Sequence, residues 1–134
     1  MSAIRFSRGE VSRAGLAWLS AAAFMAALAI AMAPAHYLDA RLFNGAPIWD
    51  KPLKFSLSLS LHFLTLAALL QTLPQERRGG LAIGFAVWTS IVSGVLEILY
   101  IGLQAIRGRA SHYNYDTALE SALYLAMGGG AVLL

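Results

Sequence analysis

Four long apolar runs limit what this chain can fold into. They cover residues 14–33, 55–73, 81–106 and 118–134, and short polar segments separate them. A helix that crosses a bilayer needs about 20 mostly apolar residues, so the fourth run, which is the shortest, is at the lower limit. Only 13% of the residues are charged, against about 25% in a soluble domain. The sequence therefore predicts an all-α integral membrane bundle of four transmembrane helices, forming a single domain, 1–134.

Prolines mark the predicted ends of the first two helices. Pro34 follows the first run and Pro74 follows the second, and proline breaks a helix interior. The alternative for the first run is a secretory signal peptide, since Ala33-Pro34-Ala35 resembles a small-residue cleavage site. The apolar core of about 20 residues exceeds the roughly 7–15 of a signal peptide, which favours an uncleaved helix.

The charged residues lie between the apolar runs. Ten Lys and Arg against seven acids give a net charge of +3, and basic residues at helix ends are typical of the lipid headgroup region. They form no block of like charge, so no nucleic-acid partner is predicted. The absence of cysteine excludes disulfides, thiol nucleophiles and thiolate metal ligands. Orientation stays open, because both sides of the predicted bundle carry equal numbers of Lys and Arg.

Polar residues form a stripe on each of the two middle helices. Positions three or four apart share one face of a helix. Hydrocarbon cannot satisfy hydrogen-bonding groups, so we expect the two stripes to face each other or a shared cavity. Packing between helices explains most of their Ser and Thr residues. The second helix carries Lys51, Lys54, Ser58, His62, Thr65 and Thr72, and the third carries Ser90, Ser93, Glu97, Tyr100, Gln104 and Arg107.

Two ionisable residues, His62 and Glu97, lie deep in these stripes. At 1.5 Å per residue, His62 is about 12 Å beyond Lys54 and Glu97 is about 15 Å from Arg107. Both depths are measured from the same side of the bilayer, so a contact between the two is geometrically allowed. Ionisable groups inside a membrane indicate a functional site, and the alternative is a structural hydrogen bond between them. We expect both side chains in the bundle interior.

The first and third connections between helices emerge on the same face of a four-helix arrangement. Their polar residues are therefore expected to gather above the mouth of the two stripes. This predicts a pocket with a floor of His62 and Glu97 and a rim rich in arginine, which suits a small polar or anionic ligand. The candidate ligand-binding residues are His62, Glu97, Lys51, Lys54, Tyr100, Gln104, Arg107, Arg109, His112 and Asn114.

The segment Thr117–Glu120, with the sequence TALE, matches a capping box. In that motif a hydroxyl and a glutamate carboxylate satisfy the first free N–H groups of a helix. This interpretation explains Glu120 as part of a helix cap, without a role in a site.

Two segments resemble parts of uncharacterised bacterial multi-pass membrane proteins. They are IWDKPLKFSLSLSLHFLTLA, residues 48–67, and LQAIRGRASHYNYDTALESALYLAMGGGA, residues 103–131. The resemblance rests on the motifs W-D-K-P-x-K-F and R-G-R-x-S-H-[FY]-N. It implies a place in the bacterial inner membrane and a shared importance of the two loops. The relatives are longer, which implies that this chain corresponds to the N-terminal part of a longer architecture.

Three classes of function stay open. The first is binding or transport of a small polar or anionic ligand, with His62 and Glu97 exchanging a proton. The second is a membrane-embedded enzyme that acts on a lipid or lipid-linked substrate, with either residue as general base. The third is an accessory subunit of a larger membrane complex, and a homo-oligomer is compatible with all three. The first is favoured, because the sequence offers cationic pocket residues but no catalytic motif.

The sequence predicts no metal site and no cofactor. Ser58 and His62 have the spacing of one motif of the ceramidase-like membrane hydrolases, but the chain has no His-x-x-x-His pair to complete such a zinc site. Haem is the remaining alternative. Of the three histidines only His62 lies within an apolar run, which disfavours ligation by two histidines of one chain.

Overall fold

The computed structural model describes residues 11–134. Arg5 and Arg8, which belong to the Lys and Arg count on the N-terminal side of the predicted bundle, lie outside this part of the chain. Within it, the elements are α1 (Arg13–Leu38), β1 (Leu42–Phe43), β2 (Ala46–Pro47), α2 (Asp50–Thr72), a 3-10 turn (Gln75–Arg77), α3 (Leu81–Arg107) and α4 (Ala118–Ala131). The predicted all-helical class is confirmed. The helices extend the predicted apolar runs by a few residues into the polar segments, except for α4.

Among the described helices, α1, α2 and α3 are long and apolar enough to cross a membrane. Helix α4 has 14 residues, about 21 Å at 1.5 Å per residue, which is shorter than a hydrocarbon core of about 30 Å. The structure therefore supports three of the four predicted crossings by length and composition. The outward faces carry many exposed apolar side chains, which a lipid environment accommodates, among them Phe24, Ile30, Leu57, Leu61, Phe85, Trp88, Leu96 and Leu99.

The prediction that Pro34 ends the first helix is wrong. Helix α1 begins after Ser12, whose Oγ accepts from the N–H of Gly15 at 3.1 Å, and it continues through Pro34 to Leu38. Proline removes one backbone hydrogen bond from a helix. Helices of membrane proteins tolerate that loss where neighbouring groups satisfy the freed carbonyl. The consequence is an extra helical turn that carries His36 towards the polar loop.

The segment between α1 and α2 is an ordered hairpin. Asn44 and Gly45 both have positive φ, 51° and 79°, as a two-residue turn of type I′ requires. The strands pair antiparallel, with Leu42 opposite Pro47 and Phe43 opposite Ala46. The Asn-Gly pair is thus the local reason for a hairpin where the sequence analysis expected only a polar loop.

Helices α1 and α2 form the tightest contact of the bundle. Small residues of α1, such as Ala21 and Ala22, allow the backbones to approach closely. Ser60 Oγ donates to the carbonyl of Ala22 at 2.9 Å, which adds a polar link between the two helices. The buried core comprises Trp18, Ala21, Ala22, Met25, Leu59, Phe63, Ala67, Leu70 and Ile98.

Helix α3 packs against the α1–α2 pair at one glycine of α3 and one tryptophan of α1. A Cβ added to Gly94 would lie 3.0 Å from Phe63 Cζ and 3.3 Å from Leu59 Cδ2, so any larger residue would require these side chains to shift. Trp18 Nε1 donates to Ser90 Oγ at 3.0 Å and joins α1 to α3. Gly108 ends α3 with a left-handed φ of 67°, the common glycine cap that turns the chain away from a helix.

Candidate functional site

The structure brings the two polar loops together at one end of the bundle. Arg41 Nη1, after α1, donates to the carbonyl of Ile106 at the end of α3 at 3.0 Å. Lys51, in the first turn of α2, lies 2.8 Å from Nδ1 of His112 in the loop after α3. Both contacts join segments that are more than 60 residues apart in the chain. The predicted gathering of the loops on one face therefore occurs.

Asp39 organises the entrance to the hairpin. Its carboxylate accepts from Arg41 Nε at 2.9 Å, from Arg41 Nη2 at 2.7 Å and from Trp49 Nε1 at 2.8 Å. The hydrogen bonds from Arg41 and then Trp49 hold the pKa of Asp39 well below its usual range. This cluster fixes the position of the strands relative to α2. The sequence analysis did not identify this cluster.

A pocket of about 500 Å³ lies between the two loops. Its polar wall combines Lys51 from α2 with Arg109 and His112 from the loop after α3. Its apolar lining comes from the hairpin and from the ends of α2 and α3. The pocket is therefore amphipathic, with cationic and apolar groups in one lining; the apolar part includes Phe43, Ala46, Pro47, Ile48, Pro52, Ile101 and Ala105.

Next to the pocket, Glu120 is buried beneath two arginines. Its side chain is 1% exposed, and its carboxylate lies 2.8 Å from Arg107 Nη1 and 3.3 Å from Arg109 Nη1. Gln104 Nε2 donates to the other oxygen at 2.5 Å and lies 3.2 Å from the hydroxyl of Tyr100. A carboxylate with two guanidinium partners and an amide donor satisfies the requirements of a buried charge.

This arrangement corrects the capping-box interpretation of Glu120. Thr117 Oγ does accept from the N–H of Glu120 at 3.1 Å, so the first half of the motif forms. The carboxylate points instead to Gln104, Arg107 and Arg109. Glu120 therefore joins the start of α4 to the end of α3 and belongs to the support of the pocket wall.

The charges around the pocket leave an excess of positive charge. Lys54 forms an ion pair with Asp50, which itself lines the pocket. Glu120 carries one negative charge against the two positive charges of Arg107 and Arg109, which leaves +1. Lys51 adds another positive charge, since its observed partner is the imidazole of His112. The six charged groups therefore sum to about +2, which favours an anion at this place.

His112 lies beside a cation, the ammonium group of Lys51. Burial, and next the positive charge of Lys51, lower the pKa of His112 from its ordinary value. Its ring also packs edge-on against Tyr124 of α4, with a centroid distance of 6.1 Å. Tyr113 and Tyr115 lie 5.4 Å from the same Tyr124 ring. This tyrosine cluster, which sequence reasoning did not single out, holds the loop after α3 against α4.

The polar stripe of α2 does not face the bundle interior, contrary to the prediction. Ser58, Thr65 and Thr72 are exposed on the outside of the bundle. Thr65 Oγ donates to the carbonyl of Leu61 at 2.8 Å, and Thr72 Oγ donates to that of Leu69 at 2.7 Å. These two hydroxyls are satisfied by their own helix, so they need no polar partner from another helix. The interior serine of α2 is Ser56, which the prediction omitted.

The stripe of α3, in contrast, is buried for most of its length. Only Arg107, at its end, is exposed. Glu97 is 6% exposed and lies against α4, where its Oε1 would be 3.8 Å from a Cβ added to Gly130. Helix α4 therefore covers a part of the stripe that was expected to face α2. The buried members are Ser90, Ser93, Glu97, Tyr100 and Gln104.

The predicted floor of His62 and Glu97 is wrong for this pocket. Neither residue lines it, and apolar side chains of α2 and α3 stand in their place. In the part of the chain that the structure describes, Nε2 of His62 is buried without a hydrogen-bond partner. The two side chains belong to different contacts, because α2 turns Phe63 rather than His62 towards Gly94 of α3.

Asn114, another candidate residue, has a structural role in its loop. Asn114 is 3% exposed; its Nδ2 donates to the carbonyl of Ala110 at 3.0 Å, and its Oδ1 accepts from the N–H of Asp116 at 3.2 Å. It therefore shapes the loop that carries His112. Of the ten candidate residues, the pocket lining contains Lys51, Arg109 and His112. Among residues 11–134, no group of three His, Cys, Asp or Glu side chains is placed to hold a metal.

No protein-family model, curated protein or solved structure matches this chain.

Proposed function

We propose that this chain is a multi-pass protein of the bacterial inner membrane that binds a small amphipathic anion in the pocket between its two polar loops. In this proposal α4 inserts beside α3 as a fourth membrane helix. We extend this proposal to transport of the same ligand across the membrane. The single observation that carries it is the convergence of Lys51, Arg109 and His112 on one pocket with an apolar lining.

The position of Lys51 supports recognition of an anion. Its neighbour in the structure is Nδ1 of His112, 2.8 Å away, so this contact brings no negative charge to compensate the ammonium. Arg109 is 45% exposed and shares Glu120 with Arg107. A guanidinium in this arrangement still has N–H groups free to donate to a carboxylate, sulfonate or phosphate.

The apolar lining supports a ligand with a hydrocarbon part. Ile101 and Ala105 of α3 and Pro52 of α2 are buried and border the same pocket as the cations. Contact with hydrocarbon contributes about 25 cal/mol for each Å² of apolar surface removed from water. Two sources supply this chemistry, namely a soluble organic anion and the headgroup region of an anionic lipid.

Thermal unfolding of the protein in a neutral detergent tests the proposal. Butanesulfonate and sulfate are the probes, and sodium chloride at equal ionic strength is the control for screening. A ligand that binds only the folded protein raises the unfolding temperature as its concentration exceeds Kd. We expect butanesulfonate to stabilise the protein more than sulfate does, because only the former contacts the apolar lining.

Matched variants locate the effect. Lys51→Gln removes a pocket cation and Arg77→Gln removes a cation from the turn at the other end of the bundle, so each lowers the net charge by one. Stabilisation by butanesulfonate should be lost in the first variant and kept in the second. Equal responses in both would contradict the pocket. Competition by nanodiscs containing anionic lipid, with zwitterionic lipid as reference, distinguishes a lipid ligand from a soluble one.

A further inference from the structure

The contact between Lys51 and His112 favours one protonation state of the histidine. An ammonium group is only a donor, so Nδ1 of His112 offers its lone pair across the 2.8 Å contact. A protonated imidazole has no lone pair to offer. It would also bring a second positive charge against Lys51 at a distance where repulsion is strong. Without a ligand, this contact therefore favours the neutral form of His112.

The other groups that face His112 strengthen this preference. On α2, Asp50 borders the same pocket, but its carboxylate is already paired with Lys54. In the loop after α3, Arg109 adds a positive charge, and Ser111 Oγ lies 3.3 Å from Nδ1. Tyr113 borders the pocket, and Tyr124 of α4 contributes an aromatic edge without a formal charge. The surroundings of the imidazole are thus cationic until an anion enters.

We propose that an anion entering this pocket binds together with one proton, which His112 takes up at Nδ1. The anion lies between Lys51 and His112, so the lysine donates to the anion in place of the imidazole. Nδ1–H then becomes a second donor to the same anion. The proton comes from the solvent, and no covalent bond is made or broken. This inference rests on the proposed anion-binding function and adds a second, coupled ligand to it.

Linkage gives the expected dependence on pH. The free protein has a lowered pKa at His112 because of burial and of Lys51, and the bound anion raises that pKa. At a pH between the pKa of His112 in the free protein and its pKa in the complex, binding takes up a proton. In this range Kd increases by up to tenfold for each pH unit. Affinity is therefore highest in acid, falls as pH rises through the pKa of the complex, and is constant above it. Coupled uptake of an anion and a proton is the property that a proton-driven carrier requires.

Calorimetric titration of the full chain with butanesulfonate measures this coupling. A sulfonate keeps a constant charge between about pH 5 and pH 8, the range in which histidine titrates, so any proton taken up belongs to the protein. Titrations at one pH in two buffers of different ionisation enthalpy give the number of protons bound. We expect this number to approach one between the two pKa values of His112 and to vanish in His112→Gln.

His36→Gln is the matched control, since His36 is a histidine at the end of α1 that does not line the pocket. Its proton uptake should equal that of the original protein. The imidazole resonances of His112, followed by NMR with and without butanesulfonate, provide a readout that needs no variant, and their midpoint should move to higher pH. Binding without proton uptake, or equal uptake in His112→Gln, would overturn the coupling and leave the anion site standing. Failure of butanesulfonate to bind at any pH would overturn the anion site itself.

Discussion

Gln104 and Glu120 meet in a hydrogen bond between two side chains that are both at most 1% exposed. Nε2 of Gln104 on α3 donates to Oε2 of Glu120 on α4 at 2.5 Å. The same carboxylate holds Arg107 and Arg109, so one buried residue joins two helices and positions the cationic wall of the pocket. The support of the candidate site therefore lies at the α3–α4 contact.

Glu120→Gln is expected to loosen this contact. The variant removes the charge that two arginines share and leaves buried polar groups without their full set of partners. We expect the unfolding temperature to fall by roughly 5 °C or more, since a change of about 1 kcal/mol shifts a domain of this size by several degrees. Differential scanning fluorimetry in detergent measures the shift.

Glu76→Gln is the control for that measurement. Glu76 lies in the exposed 3-10 turn at the opposite end of the bundle, where substitutions usually change stability by less than about 0.5 kcal/mol. The same loss of stability in both variants would show that charge, and not the α3–α4 contact, explains the effect.

Added side chains at two glycines of α3 should have different effects on stability. Gly94→Leu places a side chain against Phe63 and Leu59, where a Cβ alone would be 3.0 Å and 3.3 Å from them. Overpacking of this kind costs about 1–3 kcal/mol. Gly102→Ala adds a methyl group to open space and removes the flexibility of glycine from a helix, a gain of about 0.5–1 kcal/mol.

Thermal unfolding of Gly94→Ala, Gly94→Leu and Gly102→Ala tests this pair of expectations. Gly94→Ala gains the same helix propensity as Gly102→Ala but meets the Phe63 ring, so its stability should lie below that of Gly102→Ala. Equal stability of the two alanine variants would mean that α3 and α2 are not in close contact at this position.

Arg109 should contribute more to anion affinity than an arginine at the far end of the bundle. A charge-assisted hydrogen bond is worth about 1.5–3 kcal/mol, so Arg109→Gln should raise the Kd for butanesulfonate by roughly tenfold to a hundredfold. Arg77→Gln should leave Kd within about twofold. Titration calorimetry at one ionic strength compares the two, and equal losses would assign both arginines to general attraction of anions.

Arg78 is unsuitable as the control for that experiment, although the sequence places it beside Arg77. Its guanidinium donates to the carbonyl of Leu73 at 2.9 Å, to Gln71 Oε1 at 2.7 Å and to the carbonyl of Gln71 at 2.9 Å. These contacts satisfy carbonyl groups at the end of α2, so a substitution would change folding as well as charge.

The two polar loops should be accessible from one side of the membrane and the turn between α2 and α3 from the other. The chain contains no cysteine, so single-cysteine variants can be labelled specifically. Leu42 and Tyr115 are 65% and 60% exposed, and Gly79 has open space around it. We expect an impermeant maleimide to label Leu42→Cys and Tyr115→Cys from the same side, and Gly79→Cys from the opposite side.

These positions avoid the glycines that carry positive φ. Gly45 and Gly108 have φ of 79° and 67°, a conformation that strains any residue with a Cβ. Labelling of positions 42 and 115 from opposite sides would contradict the bundle. A label at Ser7, before the first helix, would test whether the N-terminus lies on the same side as the turn between α2 and α3. Ser7 lies outside the described residues.

The sequence by itself determined which segments become helices. Length and hydropathy are local properties, and runs such as 81–106 are too apolar and too long for any other membrane element. The Asn44-Gly45 pair also favours its turn locally, because few residue pairs accept positive φ at both positions, although this signal was not used to predict a hairpin. The shared face of the two loops follows in the same way, since alternate connections of a bundle emerge at the same end.

Only the tertiary structure decided which face of each helix turns inward. On α2 the interior is chosen by fit, with Phe63 filling the space that Gly94 leaves open, while the hydroxyl of Thr65 is satisfied by its own helix. A polar stripe therefore does not indicate which face of a helix is buried when its side chains can donate hydrogen bonds to carbonyls of the same helix. The role of Glu120 depended likewise on the path of the loop after α3. That path brings Arg109 to a carboxylate 11 residues away, a contact that helix periodicity does not contain.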